Sequence, residues 1–264
     1  MTSPAFAALP TPLADLLSSR RFGRIVVFSG AGMSEDSGIP TFRSGSNGLW
    51  SAFDPQQLAT PEAWHRDRAL VWGWYEWRRG LVAAARPHPG HVALARLQRE
   101  AGAGIVTQNV DDLHERAGAT DVVHLHGSLF APRCEACGTP AQLPPPPAGD
   151  PAQRLEPPRC ERCPALIRPG VVWFGESLEP AVVDKASRHI AACDLLVIVG
   201  TSGTVYPAAG LVALAADGVP VLEINPQRAE VASNVDFRWR STAAQALPLL
   251  VEALLEAGTA DHKC

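Results

Sequence analysis

Cys134-x-x-Cys137 and Cys160-x-x-Cys163 place thiolates at a spacing that lets each pair share one tetrahedral ion. Two such pairs close a four-sulfur shell with no open position for catalysis. The gap between them, residues 138–159, is slightly longer than in an ordinary four-cysteine zinc ribbon. A redox C-x-x-C is the alternative, but that motif normally accompanies a βαβ element and occurs once. The expectation is a structural zinc that staples a module lacking its own core. A second set of residues could act on a ligand. Thr107-Gln108-Asn109-Val110-Asp111-Asp112-Leu113-His114 follows the apolar pair Ile105-Val106, and His124-Leu125-His126-Gly127-Ser128 follows Val122-Val123. Polar side chains at the carboxyl end of a strand lie where open α/β sheets bind ligands, although a plain loop reads the same way. A lone histidine is more often a hydrogen-bonded structural residue than a catalyst. Its ordinary pKa near 6.5 nevertheless suits His126 to proton transfer.

Small residues dominate Gly30-Ala31-Gly32-Met33-Ser34, directly behind the apolar run Ile25-Val26-Val27-Phe28. Backbone N–H groups there can approach an anion closely, and the pyrophosphate of a dinucleotide is the usual one. Glu35 stands where the third glycine of G-x-G-x-x-G would fall, so the general fingerprint is only partly met. Farther on, Trp72-Gly73-Trp74-Tyr75-Glu76-Trp77-Arg78-Arg79 puts Tyr75 and Arg78 three residues apart on one helical face. Arg79 is rotated away by about 100°. A guanidinium beside a phenol forms a fork for a carboxylate. Periodicity by itself favours the other reading, an amphipathic helix with tryptophan packed inward.

The elements that must position these residues follow from the apolar runs. Short, unalternating strands are expected over 25–28, 104–107, 121–125, 195–199 and 219–224, and helices over 58–85, 91–100, 179–192, 206–217 and 243–257. Such strands between helices predict an α/β fold, a Rossmann-like doubly wound parallel sheet covered on both faces. Periodicity vanishes between Pro132 and Pro169, where prolines crowd and the paired cysteines lie, so a small zinc-binding module is inserted there. The expected division is an N-terminal extension over 1–20, the nucleotide-binding domain over 21–131 and 170–257, the zinc ribbon over 132–169 with a second part of the small domain from about 44–90, and a tail over 258–264. With 264 residues and a formal net charge of −4, the chain can bury a sizeable core but has no electrostatic footprint for nucleic acid or an anionic membrane. The first residues lack a basic segment followed by an apolar core, and no apolar run reaches the roughly 18 residues of a membrane span. A monomeric cytoplasmic protein is expected.

The ordered set G-A-G-x-S, Gly38-Ile39-Pro40-x-Phe42-Arg43, T-Q-N-x-D-x-L-H, His126-Gly127, two C-x-x-C pairs, Val172-Trp173-Phe174-Gly175-Glu176, Gly200-Thr201-Ser202 and Ile224-Asn225-Pro226 resembles the sirtuins, NAD-dependent protein lysine deacylases. The resemblance covers about residues 20 to 250. It implies that Gly30, Ala31, Gly32 and Ser34 surround the pyrophosphate. Ile39, Phe42 and Arg43 would belong to a loop over the nicotinamide ribose, and Gln108, Asn109 and Asp111 to the nicotinamide pocket. Gly200, Thr201 and Ser202 would hold phosphate, Asn225 the adenosine ribose and Ala243 the adenine, although Asn225-Pro226 reads equally as a turn. His126, with Asn109 beside it, would be the catalytic centre. The histidine acts as general base on a ribose hydroxyl after the acyl oxygen has captured the ribosyl carbon and nicotinamide has left. Zinc takes no part in that chemistry. Val172 to Glu176 and Gly203 to Tyr206, Val205 included, would be edges between which an acylated-lysine peptide adds as a strand, or else internal loops.

Tyr75-x-x-Arg78 and Ala59 further resemble the sirtuin branch that removes succinyl and malonyl groups. That likeness implies desuccinylase and demalonylase activity beside deacetylation. Two rival readings remain: a protein mono-ADP-ribosyltransferase, which would share the NAD pocket, and a non-enzymatic NAD-sensing module.

Overall fold

A computed structural model describes residues 4–41, 53–146, 149–227, 229–230 and 235–258. The strands β1 (Ile25–Ser29), β2 (Gly104–Thr107), β3 (Val122–His124), β6 (Leu195–Val199), β7 (Val221–Ile224) and β8 (Phe237–Trp239) form one parallel sheet in the order β3-β2-β1-β6-β7-β8. A second, antiparallel pair joins β4 (Arg133–Cys134) to β5 (Ile167–Arg168).

Every residue of β1 and β6 is buried because each strand feeds two cores. Ile25, Val27, Leu195, Val197 and Val199 face the core built by the Pro89–Ala101 and Ala243–Ala257 helices. Val26, Phe28, Leu196 and Ile198 face the Pro180–Ala192 helix on the other side. Side chains alternate across a strand, so a strand buried on both faces reads as an unbroken apolar run. A third core joins the tryptophan-rich helix to the zinc module through Trp64, Trp74, Tyr75, Leu129, Ile167 and Trp173.

Several elements differ from expectation. The single helix over 58–85 is three: Pro55–Leu58, Pro61–Arg66 and Arg68–Ala84. Thr60 caps the second by accepting Ala63 N–H at 3.1 Å, and Asp67 caps the third by accepting Leu70 N–H at 3.1 Å. Residues 206–217 hold a 3₁₀ helix over Ala208–Leu214 in place of an α-helix. Strand β8, which no expectation included, is a three-residue edge strand with Arg238 at its centre. The expected N-terminal extension forms helices over Pro4–Ala7 and Thr11–Ser19 and contributes Leu9, Leu13 and Leu17 to the first core.

Candidate active site

The chain runs outward from β1 to β2 and β3, then returns to place β6 on the other side of β1. The carboxyl ends of β1 and β6 are therefore the switch point of the sheet, the usual location of a ligand crevice. Their two loops interlock. Gly30 N–H donates to Val199 O at 2.9 Å and Gly32 N–H to Gly200 O at 2.8 Å. A Cβ on Gly30 would lie 2.8 Å from Thr201 Cα, and one on Gly32 would lie 2.9 Å from Gly200 Cα. Gly200 has φ +59°, and a Cβ there would stand 2.3 Å from Met33 N. Close backbone approach between two loops is thus a structural demand on these glycines, separate from any ligand.

Ser34 is the hub beneath this crevice. Its hydroxyl donates to Asp111 Oδ2 at 2.9 Å and accepts from Asn109 Nδ2 at 3.1 Å. Asp111 also accepts Leu113 N–H at 3.2 Å; burial nevertheless pushes its carboxyl above the usual range, outweighing those donors. Gln108 Oε1 accepts the Thr201 hydroxyl at 2.9 Å, tying β2's end to β6's end. Gln108 Nε2 is buried with no partner among the described residues. A buried donor without an acceptor is costly, so this atom fits a site that receives an oxygen-rich ligand such as a dinucleotide.

His126 lies at the same end of the sheet. Its Nδ1 is 2.9 Å from Gln108 O, and because a carbonyl only accepts, the ring proton sits on Nδ1 and Nε2 is left as the basic nitrogen. Burial holds its pKa below the ordinary value despite that bond. His124, two residues earlier, contacts Asn109 O at 3.0 Å and Glu115 Oε1 at 2.7 Å.

The third-core side supplies the other wall. Val172 N–H donates to His126 O and Phe174 N–H to Ala59 O, both at 2.9 Å, so the 172–174 segment bridges the catalytic histidine candidate and the small domain. Tyr75 and Arg78 do share a face: the guanidinium lies 5.7 Å from the Tyr75 ring centroid and 4.9 Å from that of Trp74. Arg79 turns away into a bidentate pair with Glu76, at 3.1 and 2.7 Å. Trp173 Nε1–H donates to the Tyr75 hydroxyl at 3.1 Å. Burial pushes the phenol pKa up to about 12, so it stays neutral.

Other expected site residues lie close by with commitments of their own. Glu176 is held by Arg168 at 2.6 and 2.9 Å and by Trp173 N–H at 2.8 Å; burial opposes its ionisation, but these partners hold its pKa below the usual range. Asn225 donates to Thr201 O at 2.9 Å and accepts Gln227 N–H at 3.3 Å, the bonding of a turn residue. The Ser202 hydroxyl meets Thr204 Oγ1 at 2.9 Å on the exposed side. Gly175 has φ +88°, and a Cβ there would meet nothing within 4 Å among the described residues. Val205 O accepts Ala209 N–H at 2.8 Å, and Ala243 is buried at the first position of its helix. Phe42 and Arg43 lie outside the described residues.

Sequence reasoning missed a stack of histidines behind the glycine loop. His88 and His91 ring centroids are 4.1 Å apart, and those of His91 and His114 are 5.1 Å apart. His88 Nδ1 accepts Gly90 N–H, so its Nε2–H donates to Met33 O at 2.6 Å, under the loop. His91 has no partner for either ring nitrogen among the described residues. His88 and His91 are three residues apart at the start of one helix, whereas His114 comes from a separate short helix, so only the third ring has no local spacing to announce it.

The four paired cysteines converge. Cys134 and Cys163 Sγ atoms are 3.4 Å apart, and Cys137 Sγ lies 3.7 Å from those of both Cys160 and Cys163. Sulfurs about 2.3 Å from one tetrahedral zinc stand roughly 3.8 Å from each other, so the donor set and its spacing fit that ion.

Comparison with known proteins gives one family. The model for "Sir2 family" matches residues 30–207. The "NAD-dependent protein deacylase" of Corynebacterium glutamicum is 51% identical over 240 residues, covering 89% of this chain and 93% of that protein. That of Methylococcus capsulatus is 49% identical over 245 residues, covering 91% and 96%. Among solved structures, a Sir2 homologue–NAD complex superposes with a TM-score of 0.84 at 39% identity, covering 94% of this chain and 95% of the other.

Proposed function

This chain belongs to the Sir2 family, and from that premise we propose that it is an NAD-dependent protein deacylase that releases lysine side chains from short acyl groups, with a preference for acidic ones. The observation that carries the reading is the meeting of His126, Gln108 and the interlocked Gly30–Gly200 loops at the switch point of the sheet. Bound NAD supplies a ribosyl carbon that, as nicotinamide leaves, can be captured by the acyl oxygen of the substrate. His126 Nε2 then takes the proton from a ribose hydroxyl, while Nδ1–H on Gln108 O keeps the ring in the tautomer this needs. Gly30, Ala31, Gly32, Ser34, Gly200, Thr201 and Ser202 form the phosphate cradle. Ile39, Gln108, Asn109 and Asp111 line the nicotinamide side, and Asn225 and Ala243 the adenosine side. Cys134, Cys137, Cys160 and Cys163 hold one structural zinc.

The acidic preference is supported by Tyr75 and Arg78, a neutral hydroxyl and a cation on one buried wall beside the small Ala59. A carboxylate at the end of a short acyl chain meets both. An acylated-lysine peptide would run along Val172–Glu176 and the Val205 segment, offering its backbone as an added strand. The reading extends to a monomer acting in the cytoplasm, with the zinc module over 132–169 as a domain inserted into the nucleotide-binding one. No described helix is long and apolar enough to cross a membrane. Mass-spectrometric turnover of matched acetyl-, malonyl- and succinyl-lysine peptides with NAD tests the assignment. Higher kcat/KM on the acidic pair supports it, and equal or lower values remove the acidic preference.

A further inference from the structure

Four successive carbonyls leave the end of β2, and each is held by the chain over 124–129. Leu125 N–H donates to Thr107 O and Leu129 N–H to Val110 O, both at 2.9 Å. Among the described residues the two carbonyls between them have no backbone donor and are taken by imidazoles: His126 Nδ1 on Gln108 O at 2.9 Å, and His124 Nδ1 on Asn109 O at 3.0 Å. His124 ends β3 and His126 lies in the turn that follows, and both rings reach the same run of carbonyls. The pair differ in their second nitrogen. His126 keeps Nε2 as a base, whereas His124 Nε2 lies 2.7 Å from Glu115 Oε1. A carbonyl and a carboxylate both only accept, so His124 satisfies them together only when both ring nitrogens carry protons.

Resting on the deacylase reading above, we infer that His124 is a positioning residue for cofactor binding: as an imidazolium bridging Asn109 O and Glu115, it holds the 108–111 segment in the arrangement that presents Gln108, Asn109 and Asp111 to NAD. The backbone of Asn109 cannot shift without moving its side chain off Ser34, or Asp111 off Ser34 and Leu113. The charges facing His124 favour its protonated form. Burial opposes it most strongly, but Glu115, the Asn109 carbonyl and Asp111 together raise its pKa. His114, on the same short helix as Glu115, is neutral and adds no cation; Asp112 is engaged by Arg116 at 3.5 Å. Across β3, Lys185 of the Pro180–Ala192 helix pairs with Asp121.

Calorimetric NAD affinity and steady-state kinetics on wild type, His124→Ala and Glu115→Gln test this. His124→Ala should weaken NAD binding tenfold or more and raise KM for NAD, with KM for the acyl peptide changed less than twofold. In the wild type NAD affinity should fall at alkaline pH as His124 loses its proton. Glu115→Gln keeps an acceptor but removes the charge, and should move that loss to lower pH. NMR titration of the His124 imidazole in the ligand-free protein should show the same displacement, independently of turnover and of how well His124→Ala folds. Unchanged NAD affinity in His124→Ala, equal damage to peptide and NAD constants, or a His124 titration indifferent to Glu115→Gln each overturns the inference. Wild type that binds no NAD at any pH would instead defeat the deacylase reading itself.

Discussion

The Trp173 indole donates a hydrogen bond of 3.1 Å to the Tyr75 hydroxyl, although the two residues lie on opposite sides of the zinc insertion in sequence. A phenol oxygen occupied in this way directs its own proton elsewhere, and Arg78, 5.7 Å from the ring, offers no acceptor. Two donors side by side on a buried wall are complementary to an anion. Arg78→Met should therefore raise KM for succinyl-lysine peptide at least about tenfold, equivalent to roughly 1.4 kcal/mol, and leave acetyl-lysine turnover similar or improved. Tyr75→Phe should act in the same direction but less, because it removes one neutral hydrogen bond and keeps the ring. Equal slowing of both substrates by Arg78→Met would reduce this helix to a packing element.

His126→Ala should lower turnover by about two orders of magnitude or more, the contribution of a positioned general base, while NAD and peptide still bind. Burial lowers the pKa of His126, so the basic form persists to more acidic solution than for a free imidazole. The acid limb of the wild-type kcat/KM profile is expected below about pH 6.5. Near-normal steady-state turnover in the variant would remove His126 from the mechanism.

The zinc module should contain one ion per chain by metal analysis, and Cys134→Ala or Cys160→Ala should lower the melting temperature, since the metal's binding energy is folding energy for the insertion. Helix Arg68–Ala84 packs in the same core as this module, so the damage should reach the Tyr75 wall as well. Protein purified without chelators that holds no stoichiometric zinc would refute the site.

The buried histidines set the acid stability. Burial, helped by its histidine neighbours, depresses the pKa of His91 to about 2; burial likewise brings His114 to about 4, despite an opposing Glu115. The unfolded chain takes up protons near pH 6.5 that the native state refuses, so stability present above that pH is lost as pH falls through and below it. Between pH 7.5 and 5 the two groups together should cost on the order of 4 kcal/mol. His91→Leu should make the fall in denaturant midpoint over that range shallower than in wild type. A slope as steep as wild type would show that the stack does not control it.

Legibility in the sequence followed how local each signal was. β1 and β6 were readable because burial on both faces leaves an unbroken apolar run, and the cysteines because ligand spacing is itself local. Arg78 and Arg79 were separable by helical rotation alone, and the structure parts them as expected. The breaks at Thr60-Pro61 and Asp67 were also written in capping residues, but a continuous tryptophan-rich pattern masked them. β8 was hidden by a charged residue in an edge strand, where one face needs no apolar side chain. The His91–His114 contact, the Trp173–Tyr75 bond and the Glu115–His124 bridge were out of reach, since each joins elements that only the fold brings together. Gly30 and Gly32 read in sequence as positions where an anion approaches the backbone; in the fold the Gly200–Thr201 backbone packs against both.

NAD-dependent deacylation is tested most directly by following both halves of the reaction in one tube, by mass spectrometry of purified protein with NAD and an acylated-lysine peptide. Free lysine peptide, nicotinamide and acyl-ADP-ribose should appear in equal amounts, and none of them should form when NAD is omitted. Deacylation that proceeds without NAD, or ADP-ribose attached to protein with the acyl group still on lysine, would contradict the deacylase reading.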